Sequence, residues 1–243
     1  MNIVAIIQAR VSSTRLPGKV LKDIEGMPML MRVVHRVRLA TLPRFVVVAT
    51  STESGDDAVA KLCVENETVV FRGSELDVLD RYYNAAREFA ADIVVRVTSD
   101  CPLIDPNVLD RVVAVFLDKC PDYASNTLTR TYPRGLDVEV MSIASLERAW
   151  REARESYQRV HVTPYLYQNR NQFHCINVAA DVDCSTYRWT VDYETDLQFV
   201  RAVYARMKRS EHFRWLDVIA MLEREPSLTE INCGVLQKTL EEG

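Results

Sequence analysis

The stretch Ile3-Val4-Ala5-Ile6-Ile7-Gln8-Ala9-Arg10-Val11-Ser12-Ser13-Thr14-Arg15-Leu16-Pro17-Gly18-Lys19 opens the chain and decides how the rest is read. The run Ile3–Ala9 is almost continuously apolar, the pattern of a strand buried on both faces. The residues behind it carry three cations, Arg10, Arg15 and Lys19, interleaved with three hydroxyls and a Pro-Gly turn. In open α/β sheets ligands bind at the carboxyl ends of the strands. Guanidinium forks, hydroxyls and loop amides together suit a polyphosphate. A plain solvated basic loop is the bland alternative, and the alternation with small residues favours the phosphate reading. Neither GxGxxG nor GxxxxGK[ST] occurs, so the dinucleotide fingerprint and the Walker loop are both excluded.

Outward from this stretch, helical spacing covers Met29–Ala40, followed by a strand at Phe45–Ala49, a helix near Asp56–Val64 and a short strand at Thr68–Phe71. A helix at Asp77–Ala90 leads into a strand at Ile93–Thr98, and Asp105-Pro106 caps a helix running to about Leu117. Repeated β-α units of this length imply an α/β fold with a mostly parallel sheet and helices on both faces. The second half is less regular. Strands are expected at Tyr123–Thr127, Leu136–Met141, Phe173–Val178 and up to Asp192, with helices near Ser145–Arg154, Val162–Tyr167, Thr195–Arg209 and Trp215–Arg224. Arg32, Arg36 and Arg38 read as a solvated helix face, and the three tryptophans as core. With no repeat or Gly/Ser linker, residues 1–243 are expected to form a single domain with an inserted lobe at about 123–185.

Composition narrows the function. The 243 residues are 48% hydrophobic and 26% charged, so a large core is feasible. A net charge of −4 without a basic block gives no support to nucleic-acid binding. No apolar run is long enough for membrane insertion. Met1-Asn2 runs straight into the first strand with no basic leader, and the six cysteines form no CxxC pair. The expectation is a cytoplasmic protein with reduced thiols and no tetrahedral zinc site.

Further blocks sharpen the picture: Asp77-Val78-Leu79-Asp80-Arg81-Tyr82, then Arg96-Val97-Thr98-Ser99-Asp100-Cys101-Pro102-Leu103-Ile104-Asp105-Pro106, and Ser125-Asn126. Tyr132-Pro133-Arg134-Gly135-Leu136-Asp137-Val138-Glu139, His161-Val162-Thr163-Pro164 and Trp189-Thr190-Val191-Asp192 follow. Together with the opening loop, this ordered series resembles the sugar cytidylyltransferases, the group of CMP-KDO synthetase, the acylneuraminate cytidylyltransferases and, most similar, the SpsF branch of spore coat polysaccharide proteins. It covers most of the chain. The resemblance implies a Rossmann-like nucleotide-diphospho-sugar transferase fold, CTP as donor, a sugar acceptor, Mg2+ as cofactor and a homodimer paired through the inserted lobe.

Asp100 and Asp192 each follow an expected strand, so both emerge on the sheet edge that carries the Arg10–Lys19 loop. Attack on an α-phosphorus develops charge that arginines alone do not offset, and a metal held by carboxylates is the usual solution. The resemblance assigns Asp100 and Asp192 that role, whereas Asp105 and Asp196 read as helix-cap or structural residues. It makes Arg10, Lys19, Asp100 and Asp192 the catalytic set. By the same likeness Ala9, Arg10, Arg15, Lys19 and Thr98 hold the nucleotide, with Ser74 or Arg81 near the base. Ser74 reads equally as part of a strand-to-helix connection. On the sugar side stand Asn126, Tyr132, Arg134, Asp137, Glu139 and His161, rich in short-range donors and acceptors. Asp137 or Glu139 would orient or deprotonate the attacking oxygen, or else this segment is an ordinary half-buried strand. Two positions depart from the pattern: Val160 stands where the SpsF branch often carries Glu, and Ser99 where many relatives have Gly. A glycosyltransferase of the same fold would instead need a DxD motif, which Asp100-Cys101-Pro102 is not. A catalytically silent sugar-nucleotide-binding protein is the other alternative.

Overall fold

The structure is a computed structural model that describes residues 1–207 and 212–236. The chain begins with strand β1 (Ile3–Gln8) and, after the basic loop, a 3-10 turn at Lys19–Leu21 and a small hairpin of β2 (Asp23–Ile24) and β3 (Met27–Pro28). Helix α1 (Met29–Arg38), β4 (Phe45–Ser51), α2 (Asp57–Glu65) and β5 (Val69–Gly73) carry the chain outward. It then returns through α3 (Val78–Glu88) to β6 (Ile93–Thr98) and α4 (Pro106–Lys119). The second half supplies β7 (Tyr123–Ser125), β8 (Glu139–Ser142), α5 (Ile143–Glu152), α6 (Ser156–His161), α7 (Pro164–Gln168) and β9 (Cys175–Asn177). Helices α8 (Glu194–Arg206) and α9 (Trp215–Arg224) and a 3-10 run at Pro226–Ile231 finish the described part.

Among the described residues one sheet has the order β5-β4-β1-β6-β8-β7-β9. Every neighbour pair is parallel except those made by β8, which runs against both β6 and β7. The alternation of β1 explains both layers. Ile3, Ala5 and Ile7 face one core with α1, α2, α4 and α8, while Val4 and Ile6 face a second core with α3 and α5. Each fully buried Ile or Val contributes about 1.5–3 kcal/mol relative to exposure. Strands β4 and β6 flank β1 on opposite sides, so the order in which strands are added to the sheet reverses there. The crevice between the carboxyl ends of β1 and β6 is the topological switch point at which such sheets bind ligands.

Several expectations are corrected. Arg32 and Arg36 are not solvated; they are 3% and 0% exposed. Arg32 donates to the carbonyl of Ile24 at 2.8 Å and lies 4.4 Å from the Tyr204 ring. Arg36 donates to the carbonyls of Ile104 and Phe213 and stacks 4.0 Å from the Phe213 ring. Arg36 thus staples α1 to loops far away in the sequence and Arg32 ties it to the neighbouring hairpin, a use of Arg that spacing alone does not reveal. The strand expected to end at Asp192 is absent as a ladder: only an isolated bridge joins Arg188 to Arg134. The strand expected from Leu136 begins at Glu139, and α7 begins at Pro164 rather than Val162 because the separate helix α6 ends just before it. Helix α8 matches the expectation as far as Arg206; positions 208 and 209 of the expected range lie outside the described residues. Asp105 caps α4 as anticipated and Asp77 caps α3, accepting from the N–H groups of Asn107 and Asp80 respectively.

Candidate functional site

The switch-point crevice opens into a cavity of about 300 Å³ lined by the basic loop, the end of β6 and the start of α3. The loop after β1 is shaped locally. The N–H of Gly18 donates to the carbonyl of Val11 at 3.1 Å, and Gly18 takes the left-handed conformation (φ 67°) that the reversal requires. Buried Asp56 accepts from the N–H of Val11 at 2.6 Å and so fixes the loop's outer limb. Ala9 is buried at the cavity wall, whereas Arg10 projects outward beside it.

Lys19 is the centre of the arrangement. Its ammonium donates to Asp100 Oδ2 at 3.0 Å, to Asp192 Oδ1 at 2.9 Å and to the carbonyl of Val191 at 2.8 Å. Burial penalises this ammonium, but Asp100 and Asp192 outweigh the penalty and raise its pKa. Asp100 responds in the opposite sense: burial pushes its carboxyl up, yet Lys19 and the Thr98 hydroxyl, 2.6 Å from Oδ1, hold it well below the usual range. Arg15 donates to Asp192 Oδ1 at 2.8 Å and Arg188 to its Oδ2 at 3.0 Å. Although it lacks a ladder, the Asp192 segment is tied to the loop after β6: the Val191 N–H donates to the Asp100 carbonyl at 2.8 Å. Two carboxylates converging on one cation are a hard oxygen donor set that fits a divalent metal of the magnesium type.

Arg81 sits at the same cavity, almost fully buried, and donates to the carbonyl of Ser74 at 2.7 Å. Burial lowers its pKa, and the neighbouring Arg10 acts in the same direction. Gly73 admits its stem: a Cβ there would lie 3.0 Å from Arg81 Cγ. Ser74 spends its hydroxyl on the N–H of Asp77 at 3.0 Å, which is the connection reading of that residue. Ser99 and Val160, the two departures from the expected pattern, both line the cavity.

A second cavity, of about 590 Å³, adjoins the first, and Arg96 and His161 line both. Of the expected sugar-side residues, Arg134, Asp137, Glu139 and His161 reach it; Asn126 and Tyr132 do not. Asn126 bridges the backbone of Leu136 and Val138, and Tyr132, 1% exposed, packs its ring against Trp215. Asp137 is engaged by a two-pronged ion pair with Arg130 at 2.6 and 2.8 Å. Glu139 pairs with Arg96 and accepts from the Tyr123 hydroxyl at 2.7 Å. Arg134 has no carboxylate partner among the described residues; burial lowers its pKa, and Arg130 adds to that. His161 ends α6 immediately before Val162, whose φ of 73° and ψ of −57° describe a tight γ-turn closed by the Thr163 N–H on the His161 carbonyl at 2.9 Å. Such a turn at a β-branched residue is strained, and strain of this kind concentrates at functional sites.

Arg96, Arg130, Arg170 and Arg188 were not singled out as site residues in the sequence. Arg96 carried a signal, being a lone cation inside an apolar strand. The other three lie in irregular segments where a basic residue is unremarkable.

A family model described as cytidylyltransferase matches residues 4–227. The chain belongs to the cytidylyltransferase family. An uncharacterized protein of Methanocaldococcus jannaschii is 36% identical to this cytidylyltransferase over 249 residues, covering 100% of this chain and 99% of that one. The spore coat polysaccharide biosynthesis protein SpsF of Bacillus subtilis is 32% identical over 234 residues, 93% of this chain and 95% of its own. A cytidylyltransferase structure from Leptospira borgpetersenii superposes with a TM-score of 0.92 at 32% identity, covering 98% of this chain and 100% of that one. The resemblance read from the ordered motifs is thereby borne out, as is the mostly parallel mixed sheet with helices on both faces. The enzyme is a nucleotidyltransferase. Among the described residues no helix is long and apolar enough to cross a membrane.

Proposed function

We propose that this cytidylyltransferase couples CTP to an anionic sugar, a ulosonic acid or a sugar phosphate, giving a CMP- or CDP-sugar and pyrophosphate for polysaccharide biosynthesis. The observation that carries the reading is the convergence of Asp100 and Asp192 on Lys19 at the switch-point crevice, beside the Arg10–Arg15 loop. Lys19, Arg10 and Arg15 neutralise the triphosphate, and loop N–H groups and hydroxyls orient it. Arg81, Thr98 and Ala9 wall the space for the nucleoside. An acceptor oxygen forms a bond to the α-phosphorus while the bond to the bridging oxygen of pyrophosphate breaks. The positive side chains match charge that grows on the leaving group. A divalent cation of the magnesium type, held by Asp100 and Asp192, would add Lewis-acid stabilisation of the same phosphate oxygens.

The second cavity supports an anionic acceptor. Its two acids, Asp137 and Glu139, are already paired with Arg130 and Arg96, which leaves Arg134 and Arg170 to meet a carboxylate or phosphate. Glu139, bound on both oxygens, orients rather than deprotonates. The reading carries with it a cytoplasmic homodimer in which residues 123–185 supply the acceptor and pairing lobe. Pyrophosphate release, measured with each nucleoside triphosphate, Mg2+ and a panel of ulosonic acids and sugar 1-phosphates, tests it. Release with CTP and an anionic sugar is the expected result. Stabilisation by a nucleotide sugar but by no triphosphate would overturn it in favour of a glycosyltransferase or a silent binding protein.

A further inference from the structure

Asp192 has no strand ladder to hold it: the Val191 N–H places its segment, and side chains orient its carboxylate. Arg188 donates to its Oδ2 at 3.0 Å. Asp196, fully buried, accepts from the N–H groups of Asp192 and Tyr193, both at 3.0 Å. The same Asp196 grips Arg188 through Nε at 2.9 Å and a terminal nitrogen at 3.1 Å. Behind both stands Asn232, 6% exposed, in the turn that follows Pro226–Ile231. Its Nδ2 donates to Asp196 Oδ1 at 2.9 Å and to the Arg188 carbonyl at 3.0 Å. Both hydrogen bonds of this side-chain amide thus end on Asp196 and Arg188, which hold Asp192 from behind. A segment far downstream of the sheet closes the loop 188–196 from its rear.

We infer that Asn232 is a positioning residue for the transfer reaction. Acting through Asp196 and Arg188, it fixes the Asp192 carboxylate for a divalent cation. The inference rests on the reading of Asp192 as a metal carboxylate. A residue that only tied down the C-terminal segment would affect melting but leave metal affinity alone. A residue that aims a ligand changes metal affinity about 10–100-fold when removed.

The test uses the full chain with CTP present, titrated with Mn2+ and followed by the electron paramagnetic resonance signal of free Mn2+. Wild type, Asn232→Ala and Asp192→Ala are compared well below their melting temperatures, with CTP binding in EDTA measured alongside. Asn232→Ala is expected to weaken Mn2+ binding at least about tenfold while metal-free CTP binding is kept. Asn232→Ser, which retains one short donor, should fall between it and wild type; it replaces Asn232→Ala, under the same criteria, if that variant does not fold. A folded Asn232 variant with Mn2+ affinity within about twofold of wild type overturns the assignment. If Asp192→Ala binds Mn2+ as tightly as wild type, the metal reading of Asp192 itself fails and the assignment of Asn232 falls with it.

Discussion

Replacing Lys19 by Met keeps the side chain's apolar length and deletes the ammonium that joins Asp100 to Asp192. Three hydrogen bonds of 2.8–3.0 Å disappear. Removing one partner of a buried ion pair costs about 3–5 kcal/mol, because the other is left as an uncompensated charge. Two features reduce that figure. Asp192 keeps Arg15 and Arg188, and the Asp100 side chain is 25% exposed, so water screens part of its charge. We therefore expect Lys19→Met to destabilise the metal-free protein by about 2–4 kcal/mol at neutral pH. For a chain of this size that is a melting shift of roughly 5–12 °C in EDTA. The gap should narrow as pH falls. In wild type the pKa of Asp100 is pulled down, against the upward push of burial, to about 2 by Lys19, whereas the unpaired carboxylate of the variant takes up a proton sooner. Added Mg2+ should stabilise the variant more than wild type, since the two carboxylates have lost their internal counter-ion. Turnover should fall by about 10²-fold or more, as for other preorganised charges at a transferring group. Melting curves in EDTA that coincide within about 1 °C, with equal Mg2+ shifts, would refute the idea that Lys19 neutralises the pair.

Gly135→Ala should be costly for two reasons. Gly135 has φ +107°, and a Cβ there would lie 2.6 Å from the Thr190 nitrogen, a backbone atom that cannot rotate away. A loss of about 2–5 kcal/mol by chemical denaturation is expected, combining the left-handed penalty with overpacking; a change under about 1 kcal/mol would contradict the close approach. Cys63 offers a pH test: burial raises its thiol to about 11 from 9.0, although Arg38 opposes the shift. Since the folded pKa lies above the unfolded one, the stability it contributes is complete below pH 9 and is lost between about 9 and 11. Wild type should therefore lose about 2 kcal/mol more than Cys63→Ala between pH 8.5 and 10.5, as read from urea midpoints.

The N-terminal half was legible because buried parallel strands write themselves as apolar runs, and β1, β4 and β6 fall within a residue or two of where those runs end. The grouping at the candidate site was legible as well, since Lys19, Asp100 and Asp192 follow recognisable blocks and the structure brings all three together. Asp192 arrived there by a different route than expected: an unpaired segment tied by the Val191 N–H, rather than a ladder, places it. Arg32 and Arg36 were misread because periodicity marks which positions face inward but not what a carbonyl on another loop will accept. The second cavity was half legible. Arg134, Asp137, Glu139 and His161 share one region of sequence, but Arg96 and Arg170 join them only through the pairing of β6 with β8 and the packing of α7. Asn126 and Tyr132 lie in the same blocks and serve the backbone and the core instead.

The distances along the chain between the groups that meet at Lys19 bear on synthesis. Asp192 bonds to Lys19 from 173 positions away and to Arg15 from 177, and Arg36 reaches Phe213 over the same span of 177. A chain emerging from the ribosome can assemble β1, β4, β5 and β6 from neighbouring β-α units long before Asp192 has been made. Until then Lys19 has Asp100 but not Asp192, and Arg36 lacks the Phe213 carbonyl. The site around Lys19 is therefore completed after the β-α units that frame it, and a nascent chain halted before Asp192 would hold those strands with an unfinished centre.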